Sequence, residues 1–182
     1  MIYLYYITLA LLSLPIEWLA RLLSPVLPLF ATNSYGWLDN HSKQGFGPRL
    51  PNWLFWFMTP DNSLDGDATF ERINGRSYWS QVKWLWRNPL YAYGIKYLKG
   101  EEGTYIGDPT IKDNDNAKEG WCFVKAQGLF QFRYVKKIPF IAQCIYINFG
   151  WNIMALVDKN VNPKPDPYQA TFVFSPRKSG FR

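Results

Sequence analysis

Cysteine and histidine are scarce in this chain of 182 residues, with two of the first and one of the second. Cys122 and Cys144 form neither a disulfide framework nor a metal-binding pattern. Both lie in apolar, strand-like runs, where a buried free thiol is the expected state. Such thiols are compatible with a reducing cytoplasm. His41 stands in a polar stretch beside Asp39 and Asn40, and no second His or paired Cys exists to complete a usual zinc set. The chain also lacks a nucleophile–base pair at recognisable spacing, a phosphate-binding loop and any nucleic-acid-binding motif. Charge is nearly absent from the first thirty residues: Glu17 and Arg21 are the only charged side chains between Ile2 and Ala31. No positive residue precedes Arg21, which argues against a signal peptide.

What is abundant is aromatic surface. Phe, Trp and Tyr make up 19% of the residues, with nine Trp, and the net charge is +6. Trp and Tyr are favoured where one end of the ring is wet and the other apolar. A basic, aromatic chain points to an acidic partner. Anionic membrane lipid is the first candidate, nucleic acid the second, and an unknown host or virion protein completes the set.

Ile2 to Ala20 is long enough to cross most of a bilayer core, which takes about 20 residues. Pro15 kinks such a helix without forbidding it, and Pro25 and Pro28 end it. The stretch is apolar all round, which favours lipid or a deep partner groove. Glu17 and Arg21 are four apart and share a helical face. Lys and Arg lie only on the C-terminal side, so the positive-inside tendency puts the body in the cytoplasm. Residues 1–31 are thus expected to be an apolar membrane anchor or assembly helix, with Trp18 and Arg21 at its lipid contact. Residues 32–50, rich in Asn, Ser, Gly and Pro, are expected to be a loop lead-in. Residues 51–182 are expected to form a single domain.

Leu50 to Met58 is too short to span, and its aromatics suit an interfacial segment or a core element. The turn Asp61-Asn62-Ser63-Leu64-Asp65-Gly66-Asp67 puts oxygens at alternate positions with Gly at the sixth, like the first half of a calcium loop. Arg72 occupies the twelfth position, where such a loop needs a Glu, so the second half departs from the EF-hand pattern. Two readings stay open. Asp61, Ser63, Asp65 and Asp67 are candidate ligands of a divalent cation such as calcium, or the Asp and Asn side chains cap their own backbone in a structural turn.

Between Arg72 and Lys99 there are six cations and no acid. Val82, Leu85, Trp86, Leu90, Tyr93 and Tyr97 recur at helical spacing, interrupted by Asn88-Pro89, so two short helices or one broken helix are expected. Trp79, Lys83, Trp84 and Arg87 are the candidate contacts to anionic headgroups on this segment. Gly100 to Gly120 turns acidic and reads as an exposed insert. From Trp121 the period becomes two. Strands are expected at Trp121–Gln127, Leu129–Val135, Gln143–Phe149, Asn152–Val157 and Thr171–Phe174, with a hairpin at Gly128 and a bend at Gly150-Trp151. The fold class is α+β: an N-terminal apolar helix, then an antiparallel sheet of four or five strands packed with one or two short helices.

The Thr59–Asp67 turn, the Trp86-Arg87-Asn88-Pro89 step, the Phe149-Gly150-Trp151 bend and the closing Phe172-Val173-Phe174-Ser175-Pro176 together resemble a family of small uncharacterised proteins of tailed bacteriophages. The resemblance covers the body from Trp53 onward. It implies a biological setting and no catalytic residue. The expected function is a phage-encoded, membrane-associated accessory protein that acts by binding at the host inner membrane. The alternatives are a virion, ejection or tail-associated component, and a metal-dependent hydrolase built on the acidic turn.

Overall fold

The computed structural model describes residues 1–35, 46–59, 62–98, 102–111, 118–157 and 166–179. The class is α+β, with a long apolar helix at the N-terminus and a five-stranded antiparallel sheet. The chain divides into two compact units. One comprises Met1–Tyr6 with Gly94–Arg182, and the other Ile7–Tyr93. The division falls inside the stretch expected to be one domain.

The sheet unit is a meander of β4 (Thr104–Gly107), β5 (Gly120–Ala126), β6 (Leu129–Lys137) and β7 (Gln143–Trp151), closed at the far edge by β9 (Ala170–Ser179). Neighbours are antiparallel throughout. β5 and β6 are joined by Gln127 and Gly128, both at positive φ, which matches the twist of the flanking strands. Alternation buries Cys122, Val124 and Ala126 on β5, and Cys144, Tyr146 and Asn148 on β7. Neither cysteine is in a disulfide. Burial, then the charge of Asp108, pushes the Cys122 thiol up. Asp108 itself takes hydrogen bonds from Lys118 and Thr110 that hold its carboxyl down to about 2. Its contribution is therefore complete above the usual carboxylate range and fades as pH falls toward 2.

Gln131 is fully buried on β6. Its amide nitrogen donates to Asn148 Oδ1 at 2.7 Å and Asn152 Oδ1 at 3.2 Å, and its Oε1 accepts from Met154 N at 2.7 Å. This network explains a departure from expectation. β7 runs on through Gly150 and Trp151, and the Asn152–Val157 strand does not exist. Satisfying the buried amide lifts the chain off the sheet into a 3-10 turn, Met154–Val157.

The first turn of α1 (Ile2–Leu23) completes the core of this unit. The Tyr6 ring lies 5.2 Å from those of Phe130 and Phe172 and 5.6 Å from Trp151. Its hydroxyl donates to the Thr171 carbonyl. Tyr3 packs on Phe130 at 4.8 Å, and the Lys96 ammonium sits 4.9 Å above the Tyr5 ring. Trp151 is fully buried, and its indole donates to the Gly94 carbonyl at 2.8 Å. A two-stranded ladder of β3 (Lys96–Leu98) and β8 (Asp166–Tyr168) stands beside this core. The helix expected to run past Asn88-Pro89 to Tyr97 is absent: Leu90–Gly94 is turn, with Leu90 at φ 54, and Tyr97 is on a strand.

The other unit holds the rest of α1, a 3-10 turn at Leu27–Phe30, a 3-10 helix at Asn52–Phe57, α2 (Ala68–Asn74) and α3 (Tyr78–Arg87). The stretch expected as loop carries a short ladder, β1 (Thr32–Ser34) against β2 (Gly47–Arg49). Its core is Leu27, Leu50, Leu54, Met58, Leu64 and Leu85, with Leu23, Ala31 and Phe57 packed around it. The end of α1 and the turn after it therefore supply part of this core.

Candidate membrane interface

α1 is 22 residues long and, by length and composition, apolar enough to cross a membrane. Its burial is one-sided. Tyr6, Leu9, Ser13, Ala20 and, just past its end, Ser24 are buried, at helical spacing. Leu4, Ile7, Leu11, Leu14, Trp18 and Leu22 are 52–70% exposed. These six recur at three and four, which makes one continuous apolar stripe. The hydroxyls on the covered side are satisfied within the helix: Ser13 donates to the Ala10 carbonyl and Ser24 to that of Arg21. Arg21 pairs with Glu17 and lies 5.7 Å over the Trp18 ring. The one charged pair of the helix thus sits against an aromatic at its C-terminal end.

Aromatic side chains gather past that end. In the Leu27–Phe30 turn Leu27 is buried while Leu29 and Phe30 are exposed, and Phe30 meets the edge of Trp53 at 5.7 Å. Trp53 is 71% exposed. In Asn52–Phe57 the residues Leu54 and, just beyond, Met58 face the core while Trp53 and Trp56 face out, so that segment is core and surface at once. Tyr78, at the start of α3, donates its hydroxyl to the Pro25 carbonyl and meets Trp79 edge-on at 5.4 Å. Trp79 and Lys83 are exposed one turn apart, and Trp86 and Arg87 are exposed beyond them. Exposed large apolar side chains outside function rarely cluster in this way on a folded surface.

Five of the six expected lipid contacts therefore keep surface at solvent: Trp18, Arg21, Trp79, Lys83 and Arg87. Trp84 does not. It is 4% exposed, with its ring edge-on to Phe70 at 4.9 Å and the Arg87 guanidinium 6.0 Å above it. Val82 and Leu85 of the expected stripe are buried, but Trp84 takes the inward place expected of Trp86. Ser80 Oγ donates to the Asn74 carbonyl, and Gln81 Nε2 donates to Asp65 Oδ1 at 3.0 Å. Those two bonds turn the 80–81–84–85 face inward, and Trp86 goes out in place of Trp84.

Among the described residues of the acidic turn, Ser63, Asp65 and Asp67 each have a side-chain oxygen engaged by the protein. Asp67 caps α2, with Oδ1 accepting from Thr69 N at 2.9 Å and Phe70 N at 2.8 Å. Asp65 is buried against Gln81, and Ser63 Oγ accepts from Asp65 N at 3.3 Å. Gly66 has φ 85, and a Cβ there would lie 2.7 Å from the Trp84 ring, so its place is doubly reserved for glycine. Among the described residues no three His, Cys, Asp or Glu side chains converge. Asp61 and His41 lie outside the described residues. Asp67→Ala is expected to cost about 1 kcal/mol through the lost cap, equally with calcium and with chelator. A thermal shift on adding calcium that this variant loses would point to the cation reading instead.

The family model that matches covers residues 1–180, from the apolar helix through the last strand. The chain belongs to DUF7338, a family of unknown function. No curated protein and no solved structure matches it. Because the DUF7338 match includes α1, the apolar helix is as much a part of the family as the sheet.

Proposed function

We propose that this DUF7338 protein is a membrane-associated accessory protein that acts by binding. It sits at the inner face of a bacterial host's inner membrane, with its body in the cytoplasm, in the phage setting that its motifs resemble. The observation that carries this reading is the exposed apolar stripe of α1, continued past the helix end by Leu29, Phe30, Trp53 and Trp79. Lipid is the environment in which that surface is at no disadvantage. Lys83 and Arg87 supply the positive charge that favours anionic headgroups on the cytoplasmic leaflet.

Deleting residues 1–31 is the wrong test, because it also removes Tyr6 and Leu27 from the cores of the two units. The exposed stripe is the right target. The double variant Leu11→Glu, Leu14→Glu leaves every buried side chain in place. It is expected to shift the protein from salt-washed membranes to the supernatant, by at least tenfold in the partition ratio, since each leucine lost from the lipid-facing side forfeits roughly 1.5 kcal/mol or more of apolar burial. Unchanged retention of that variant, or recovery of the wild-type chain in purified virions at stoichiometric yield, would overturn the reading.

A further inference from the structure

We infer that α1 lies in the plane of the membrane surface and does not cross it, held there by its first turn. The inference rests on the membrane reading above and specifies how the helix is held. At ~1.5 Å per residue, 22 residues reach about 33 Å, a bilayer core. Length alone therefore permits a crossing, but the latch at the helix start does not. Tyr6 is buried among Phe130, Trp151 and Phe172, and its hydroxyl donates to the Thr171 carbonyl. Those partners come from β6, β7 and β9, all of which follow α1 in the chain. If α1 crossed, its start and everything after it would lie on opposite sides. Among the described residues there is no second helix long and apolar enough to bring the chain back. A sheet on one side cannot hold a tyrosine on the other.

Burial along the helix agrees. A crossing helix in lipid is free on all sides, whereas here the covered positions run from Tyr6 through Leu9 and Ser13 to Ala20. The covered side carries Ser13 and the partly buried Glu17–Arg21 pair, the groups least suited to lipid. The open side is Leu4, Ile7, Leu11, Leu14, Trp18 and Leu22, an apolar face of the width that sinks into the headgroup–acyl boundary. In most in-plane helices the polar side meets water; in this one the protein itself covers it. The partner surface is thus an anionic bilayer leaflet, entered by half a helix.

The test compares the sidedness of two reporters in the full chain. One is a cysteine placed ahead of Met1. The other is Ala142→Cys, at an exposed position before β7. Cys122 and Cys144 are buried and silent toward a bulky, membrane-impermeant maleimide. In bacterial spheroplasts both reporters should be protected, and both should react on lysis. Reaction of both in intact spheroplasts would keep the in-plane helix and overturn the cytoplasmic placement of the body. Reaction of the leading cysteine alone in intact spheroplasts would overturn the inference and leave the membrane reading standing. Failure of both variants and of the wild type to stay with salt-washed membranes would overturn the membrane reading itself.

Discussion

Tyr6→Ala should destabilise the sheet unit by about 3–5 kcal/mol, the cost of emptying an aromatic site in a core that cannot collapse around it. The ring is 8% exposed and touches aromatics from three strands. Two of its neighbours are themselves buried, Phe130 and Trp151, so truncation opens a cavity lined by rings. Tyr6→Phe keeps the rings and removes the hydroxyl that serves the Thr171 carbonyl, for which roughly 0.5–1.5 kcal/mol is expected. Tyr3→Ala should cost less than Tyr6→Ala, because Tyr3 is 47% exposed although it packs on the same Phe130. Denaturant unfolding in mild detergent, followed by the near-ultraviolet signal, gives all three. The order Tyr6→Ala, then Tyr3→Ala and Tyr6→Phe, is the signature of a docked first turn. Equal and negligible effects would mean that the helix start leaves the sheet, and would remove the latch that keeps α1 in the membrane plane.

The parts of this fold that the residues announce are those where one physical signal dominates. The charge-free run before Glu17 announces α1, and the period of two announces β5, most of β6 and β7, and the first part of β9. Gly128 announces the hairpin, since it supplies the positive φ the turn needs. The missed elements lack a dominant signal. β4 is an edge strand with every side chain exposed, so it has no alternation, and the acids around it hide it. β1 and β2 are three residues each and are built from Thr-Asn-Ser and Gly-Pro-Arg, which favour turns. β3 and Leu90 are placed by long-range pairing and a positive φ, which a helical spacing of apolar residues cannot anticipate.

The candidate interface divides in the same way. Its cations and exposed Trp were legible because charge and ring count are compositional. Trp84 against Trp86 was not, because the choice is made by the Asp65–Gln81 and Ser80–Asn74 hydrogen bonds across the unit. The acidic turn offered two readings with the same oxygens, and only the geometry shows Asp67 serving backbone N–H groups. The latch was invisible. Tyr3, Tyr5 and Tyr6 belong to a run whose all-round apolarity favours lipid or a deep partner groove, and nothing local says that one of them closes the core of a sheet that begins about a hundred residues later.

Gly150→Ala is the second change expected to do most harm. Gly150 lies on the long interior strand β7, opposite Gln131 on one side and Thr171 on the other. Its φ is 100, in the region that a side chain avoids, and an added Cβ would lie 2.1 Å from the Phe130 carbonyl oxygen. Two penalties therefore add: roughly 1–3 kcal/mol for the backbone and about 1–3 kcal/mol for the overlap. Relief requires β6 to move away from β7, because the clashing atoms are backbone. That movement would pull Phe130 from Tyr6 and disturb Gln131, whose amide holds Asn148, Asn152 and Met154 together. Destabilisation of ~2–6 kcal/mol is expected on that count, measured by the same unfolding experiment. A faster amide exchange at Thr171 and Phe172 should accompany it. Gly128→Ala provides the contrast. Its φ of 80 carries a similar backbone penalty, but a Cβ there meets nothing within 4 Å. Its cost should stay near the backbone share alone, at about 1 kcal/mol. If the two variants were equally destabilised, close approach of the strands would not be the reason for glycine at 150. The aromatic core would then not depend on the β6–β7 contact that places Phe130 and Trp151 beneath the helix start.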